Sequence, residues 1–213
     1  MVHAHELLPF ILAVLALFVI PGPAVLLILT QSLGRGRAAG VATAAGLALG
    51  DAVHAAAAAL GLTALLASSA TLFGAVKWLG VLYLLFLAVQ AWRDRTPLVL
   101  PDGSATPQGS RHPARQVSRA ALTEILNPKT ALFFLSFLPQ FVRPERSAVL
   151  PQMLILGGVF VLLSLVYCAA LALLSGRLSG WLRSRPAVLR WQGKVVAGVY
   201  VALGLRLALQ GRD

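Results

Sequence analysis

Apolar residues fall into six long runs separated by short polar or basic stretches. The runs cover Leu7–Leu29, Ala38–Leu66, Thr71–Trp92, Ala120–Val142, Ala148–Ser175 and Trp191–Leu209. A helix needs about 20 such residues to cross a bilayer. The pattern predicts an all-α, polytopic membrane protein of about six transmembrane helices. The fifth run is the clearest, because no charged residue lies between Ser147 and Gly176. The sixth is the weakest. Lys194 and Arg206 leave only Val195–Leu205 uncharged between them, so it spans only if both side chains snorkel to the interfaces. Five helices are the alternative.

The first run carries an interruption at Pro21-Gly22-Pro23. Proline removes a backbone donor and clashes with the preceding turn, so this triplet predicts a break or bend. Backbone groups freed inside a membrane cannot face lipid; they are buried in protein or line a wet cavity. The C-terminal third of this helix is therefore expected at a binding cavity.

Composition agrees with the pattern. Of 213 residues, 58% are hydrophobic and 12% charged, and the mean hydropathy is +0.82. These values exclude an ordinary soluble domain and leave room for a single membrane domain over residues 1–213. The net charge of +11 would suggest nucleic acid in a soluble protein. Here the basic residues lie mainly between apolar runs, which points to orientation and anionic lipid headgroups rather than nucleic acid. The one cysteine, Cys168, allows no internal disulfide and no cysteine-based metal site. No cofactor is expected. The N-terminal run is too long for a signal-peptide core and lacks basic residues before it, so it reads as a retained first helix.

Loop charge sets an expected orientation. With six spans, the loops after helices one, three and five hold twelve of the eighteen basic residues, from Arg35 and Arg37 through Arg93–Arg119 to Arg177–Lys194. Those loops are then cytoplasmic and both termini lie outside. Residues 93–119 contain Pro97, Pro101, Gly103, Pro107, Gly109 and Pro113 and read as a flexible cytoplasmic linker. The linker separates a first half, 1–92, from a second half, 120–213. Three helices of one orientation followed by three of the other allow a 3+3 inverted repeat.

Asp51, His54 and Lys129 are the ionisable residues inside the runs that bear most on function. Asp51 lies about 20 Å along its helix from Ala38. A charge at that depth costs at least about 2.5–3.5 kcal/mol, so an intramembrane acid is a functional candidate by default. Asp51 is assigned to proton coupling; the competing reading is a structural ion pair. His54, three residues on and on the same face, is a candidate proton partner, though a hydrogen-bonded packing histidine fits as well. Lys129 lies about 15 Å into the fourth helix, near the depth of Asp51. The expectation is that the two meet, directly or through substrate. Pro128 frees a backbone group beside Lys129, and Asn127 offers both a donor and an acceptor. Pro21, Gly22, Pro23, Asn127, Pro128 and Lys129 are thus the candidate substrate-binding residues. Glu124 reads as an interfacial acid. Gly46 and Gly50 form a small-xxx-small pair that lets another helix approach. Tyr83, Tyr167 and Tyr200 read as packing residues whose hydroxyls need partners.

Together these stretches resemble the LysE/RhtB family of bacterial amino-acid exporters. The matching segments are Pro21-Gly22-Pro23 with the run to Leu33, Gly34–Gly40, Gly46–His54 with Gly50-Asp51, Lys77-Trp78-Leu79-Gly80 with Tyr83-Leu84, and Leu126-Asn127-Pro128-Lys129 through Leu138-Pro139-Gln140-Phe141. The resemblance implies a multi-pass protein of the bacterial inner membrane that exports amino acids or their derivatives, driven by proton entry. Ala24, Leu82 and Ala88 depart from common family residues and bear on pocket size, so no particular amino acid is carried over. A homodimer is compatible with the small residues. The alternatives are an exporter of a metal ion or other small solute, and an intramembrane enzyme. The first wants clustered His, Asp or Cys; the second wants a nucleophile with a base. Neither pattern stands out, and no metal site is assigned.

Overall fold

A computed structural model describes residues 4–19, 22–68, 70–93, 112–144 and 147–183, together with residues 191, 194, 197, 198, 200–202, 204, 205 and 208. The chain is an all-α membrane protein. Its helices are α1 (Ala4–Val19), α2 (Pro23–Arg35), α3 (Arg37–Ser68), α4 (Ala70–Arg93), α5 (Pro113–Ile125), α6 (Pro128–Ser136) and α7 (Val149–Arg183), with a 3-10 turn over Leu138–Phe141 after α6. The described residues between 191 and 208 are also helical, and Ala197 and Tyr200 among them are buried in the core.

The first apolar run is two helices rather than one. Leu7–Phe18 and Pro23–Arg35 meet at 61° across a short break, so α1 and α2 form a bent apolar pair. Pro23 takes the first position of α2, where its missing N–H costs nothing. Pro21 lies outside the described residues. Within α3, Arg37–Gly61 is a 25-residue apolar stretch; within α7, Val149–Leu178 is a 30-residue apolar stretch and the more hydrophobic of the two. Each is long enough to cross a bilayer. Between α2 and α3, Gly36 turns the chain at φ 88°, a left-handed value that favours glycine.

The fourth run is also divided. It breaks at Leu126–Asn127 into α5 and α6, and α6 ends in the 3-10 turn. α5 starts at Pro113, inside the stretch read from the sequence as linker. The reason is amphipathic. Arg115, Ser118 and Arg119 are exposed while Gln116 and Val117 are half-buried and Ala120 is buried, so α5 has a face to pack.

α3 is the central helix, packed on α2, α5 and α7. Its small residues permit this. A side chain at Gly46 would strike the Val117 carbonyl and Ala120, and one at Gly50 would come within 2.5 Å of Glu124 Cβ. On the α7 side, a methyl at Gly157 would lie 2.8 Å from Ala55 Cβ. Backbones that approach this closely gain dispersion contact where lipid offers no hydrophobic drive. Beside α3 lies an aromatic core. Phe133 and Phe134 of α6 sit 5.2 and 4.7 Å from Phe160 of α7, and Phe10 of α1 sits 5.3 Å from Phe141. The outward faces carry Leu8, Leu60, Leu82, Leu126, Leu154 and Leu162, all exposed, as expected of surfaces that meet lipid.

Candidate functional site

Both helix breaks open onto one cavity. It measures about 40 Å³, room for a few water-sized groups. Its polar lining comes from Asp51, Glu124, Asn127, Lys129, Thr130 and Ser164, joined by Tyr167 and Cys168. Its apolar wall is Leu17, Phe18, Ala24, Val25, Leu47 and Phe160.

The α1–α2 break presents bare backbone on both sides. A helix leaves its last carbonyls and first amides without intrahelical partners. At the end of α1, the Leu17 carbonyl accepts from Lys129 Nζ at 2.7 Å and the Phe18 carbonyl accepts from the Tyr167 hydroxyl at 2.9 Å. At the start of α2, Gly22 supplies no capping side chain, and the first helical bond runs from Leu26 N to the Gly22 carbonyl. The amides of Ala24 and Val25 precede that ladder, and both residues line the cavity. This is the arrangement that receives an anion: helix-terminal N–H groups with the positive end of the helix dipole behind them.

The α5–α6 break is closed by its own side chains. Asn127 is the N-cap of α6, and its Oδ1 accepts from Lys129 N at 3.1 Å. Its Nδ2 donates to Glu124 Oε1 at 3.1 Å, and the Thr130 hydroxyl donates to the same oxygen. The Tyr83 hydroxyl donates to the Lys129 carbonyl at 2.8 Å, tying α4 to α6. An ammonium in the first turn of α6 opposes that helix's dipole. Lys129 escapes the conflict by reaching to the C-terminal end of α1, where a cation is favoured.

The carboxyl groups form the other pole. Asp51 is 2% exposed and Glu124 4%. The polar side chains facing Asp51 are Glu124 and Ser164. Glu124, read from the sequence as an interfacial acid, is buried in the protein beside Asp51. The Gly50 notch draws it against α3, one residue from Asp51.

Of the residues singled out in the sequence, Gly22, Asp51, Asn127 and Lys129 line the cavity. Pro23 and Pro128 each occupy the first position of a helix and are exposed; they shape the breaks without lining the space. His54 is outside the lining. Its Nε2 donates to the Glu124 carbonyl at 3.0 Å, and its ring stacks 6.0 Å from Phe134. Lys129 shares the cavity with Asp51, but the acid facing Asp51 is Glu124. Thr130 and Ser164 were not singled out in the sequence, and Glu124 and Tyr167 read there as an interfacial acid and a packing residue. A signal for them exists: Glu124, Asn127 and Thr130 recur every three residues, and Ser164, Tyr167 and Cys168 share one face of an otherwise apolar helix.

A family model for LysE type translocators matches residues 15–211. The chain belongs to the LysE type translocator family. An uncharacterized membrane protein of Pseudomonas aeruginosa is 34% identical over 203 residues, covering 93% of each chain. A homoserine/homoserine lactone efflux protein of Salmonella typhimurium is 29% identical over 188 residues, covering 88% of each. A leucine efflux protein of Enterobacter sp. is 27% identical over 200 residues, covering 93% of each. No solved structure matches the chain. In this translocator the cavity joins the N-terminal turn of α2 and the Lys129 ammonium to a pair of carboxyl groups across a short apolar space.

Proposed function

We propose that this translocator exports neutral amino acids or their derivatives from the bacterial cytoplasm, across the inner membrane, in exchange for protons and by alternating access. The observation that carries the reading is the shared cavity: the Lys129 ammonium and the N-terminal turn of α2 at one pole, buried carboxyls at the other. A zwitterion matches that polarity. Its carboxylate binds the Ala24 and Val25 amides beside Lys129, and its ammonium binds Asp51. Its side chain lies along Leu17, Phe18, Val25, Leu47 and Phe160, a wall without charge. The relatives named for leucine and homoserine efflux both act on amino acids with uncharged side chains, in keeping with that wall.

The inward-moving proton travels on Asp51, the one acid within the long apolar stretch of α3. His54 steadies the backbone carrying Glu124. One elementary charge crossing 100 mV supplies about 2.3 kcal/mol, roughly a fifty-fold concentration ratio at about 1.4 kcal/mol per tenfold. The helix breaks in the two halves supply the bending points about which the halves rock.

The test is export from proteoliposomes under an imposed proton gradient, with leucine, homoserine, homoserine lactone and the remaining amino acids as a panel. Wild-type protein is expected to move neutral members against their gradient. Asp51→Asn is expected to stay folded in the membrane and to lose gradient-driven export. Full uphill export by that variant contradicts the assignment. Transport of divalent metal with no amino-acid movement would favour the metal-export reading instead.

A further inference from the structure

We infer that Asp51 and Glu124 together form one cation site, filled either by a proton or by the ammonium group of the substrate, and that this exclusion is what couples the two movements. The inference rests on the export reading above and adds Glu124 to it.

The geometry starts from two oxygens. Asp51 Oδ2 and Glu124 Oε2 are both buried without a hydrogen-bond partner. A buried carboxylate oxygen left unmatched is costly, so each calls for an explanation. Glu124 Oε1 is already served twice, by Asn127 and Thr130. Oε2 is the atom that remains for a guest. Glu124 packs into the Gly50 notch beside Asp51, and both carboxyls line the same cavity, which places the two orphaned oxygens where one small cation could be shared.

Charge balance leads to the same place. The cavity is lined by two acids and one fixed cation, Lys129, whose ammonium is anchored on the Leu17 carbonyl. Other groups facing the space are Asn127 and Thr130 from α5–α6 and Ser164, Tyr167 and Cys168 from α7; α1 and α2 bring no acidic or basic side chain into it. Lys129 balances one carboxylate. The second negative charge, among apolar walls, needs a proton or an ammonium. When a zwitterion enters from the cytoplasm, its carboxylate lands at the Lys129 pole and its ammonium displaces the proton. The carboxylic O–H bond breaks and the proton leaves to cytoplasmic water. Outside, release of the substrate leaves the pair open, and a proton from that side re-forms the O–H bond before the return.

The test is titration calorimetry of leucine and homoserine binding to the purified full chain, in buffers of differing ionisation enthalpy. About one proton is expected to be released per substrate bound. The apparent affinity is expected to weaken about tenfold for each pH unit below the point where the pair takes up its proton. Glu124→Gln and Asp51→Asn, checked for a folded elution profile, are each expected to bind without proton release and without that pH dependence. A purely structural Glu124 would leave the proton count of the wild type in place when changed to Gln, which overturns the shared site. Binding without proton release by a wild-type protein that still exports under a proton gradient also overturns it. No transport of any amino acid by the wild type would instead overturn the export reading itself.

Discussion

The two helix breaks look alike in sequence and differ in chemistry. Each is followed by a proline at the first position of a new helix, Pro23 in α2 and Pro128 in α6. At α6 the cap is internal: Asn127 accepts from Lys129 N and donates to Glu124. At α2 the cap residue is Gly22, with no side chain to offer. The α5–α6 break is therefore closed by protein side chains, whereas the α1–α2 break has no side-chain cap. Lys129 joins them, with its backbone held by the closed end and its ammonium at the open one. A capped end and an uncapped end thus face the same cavity.

Replacing the residue that joins the breaks should have the largest effect. Lys129→Met removes a charge-assisted hydrogen bond to the Leu17 carbonyl, worth about 1.5–3 kcal/mol, and the only fixed cation lining the cavity among the described residues. Export assayed in proteoliposomes is expected to vanish. Gly50→Leu attacks the closed end from the α3 side, because its Cβ would meet Glu124 Cβ at 2.5 Å. Overpacking of this kind costs about 1–3 kcal/mol, and a thermal melt of the purified protein should show a clear loss.

Asn127→Ala is a milder way to open the closed end. Losing an N-cap side chain costs about 1 kcal/mol, and it also deprives Glu124 Oε1 of one donor. A lower melting temperature with weakened export is expected. Gly22→Ser is the inverse change and the smallest. A side chain fits there, since the nearest atoms to an added Cβ are those of Lys129 at 3.8 Å. Serine at this position caps α2 and gains a few tenths of a kcal/mol over glycine, so stability should hold or rise. The same hydroxyl competes for the amides assigned to the substrate carboxylate, so the half-saturating substrate concentration in export should increase. Opposite signs in stability and transport would sharpen the contrast; a parallel change in both would break it.

Local chemistry in the sequence carried the fold a long way. Pro21-Gly22-Pro23 predicts the first break because proline and glycine act on the backbone next to them, and Pro128 with Asn127 does the same for the second. Asp51 stands out because a charge in an apolar run has a cost that is visible without coordinates. Glu124 was not legible. α5 begins at Pro113 and carries Glu124 in its last turn, against a glycine seventy-four positions earlier in the chain. Lys129 was matched to Asp51 by depth alone. Its observed acceptor is a carbonyl that becomes available only because α1 ends at Val19. Partners made by chain breaks and by close helix crossings depend on contacts distant in sequence, and no periodicity encodes them.

The sole cysteine gives the most direct test of where substrate sits, because Cys168 lines the cavity between Asp51 and Tyr167. The measurement is the rate at which a small thiol reagent modifies Cys168 in membranes, with and without a transported amino acid such as leucine or homoserine. Ala24→Cys in a Cys168→Ser background provides a second reporter on the opposite wall. Substrate is expected to slow modification at both positions in protein with Lys129 and to lose that effect in Lys129→Met. Unchanged rates at both positions, at substrate concentrations that saturate export, would place the transport site elsewhere and contradict the account.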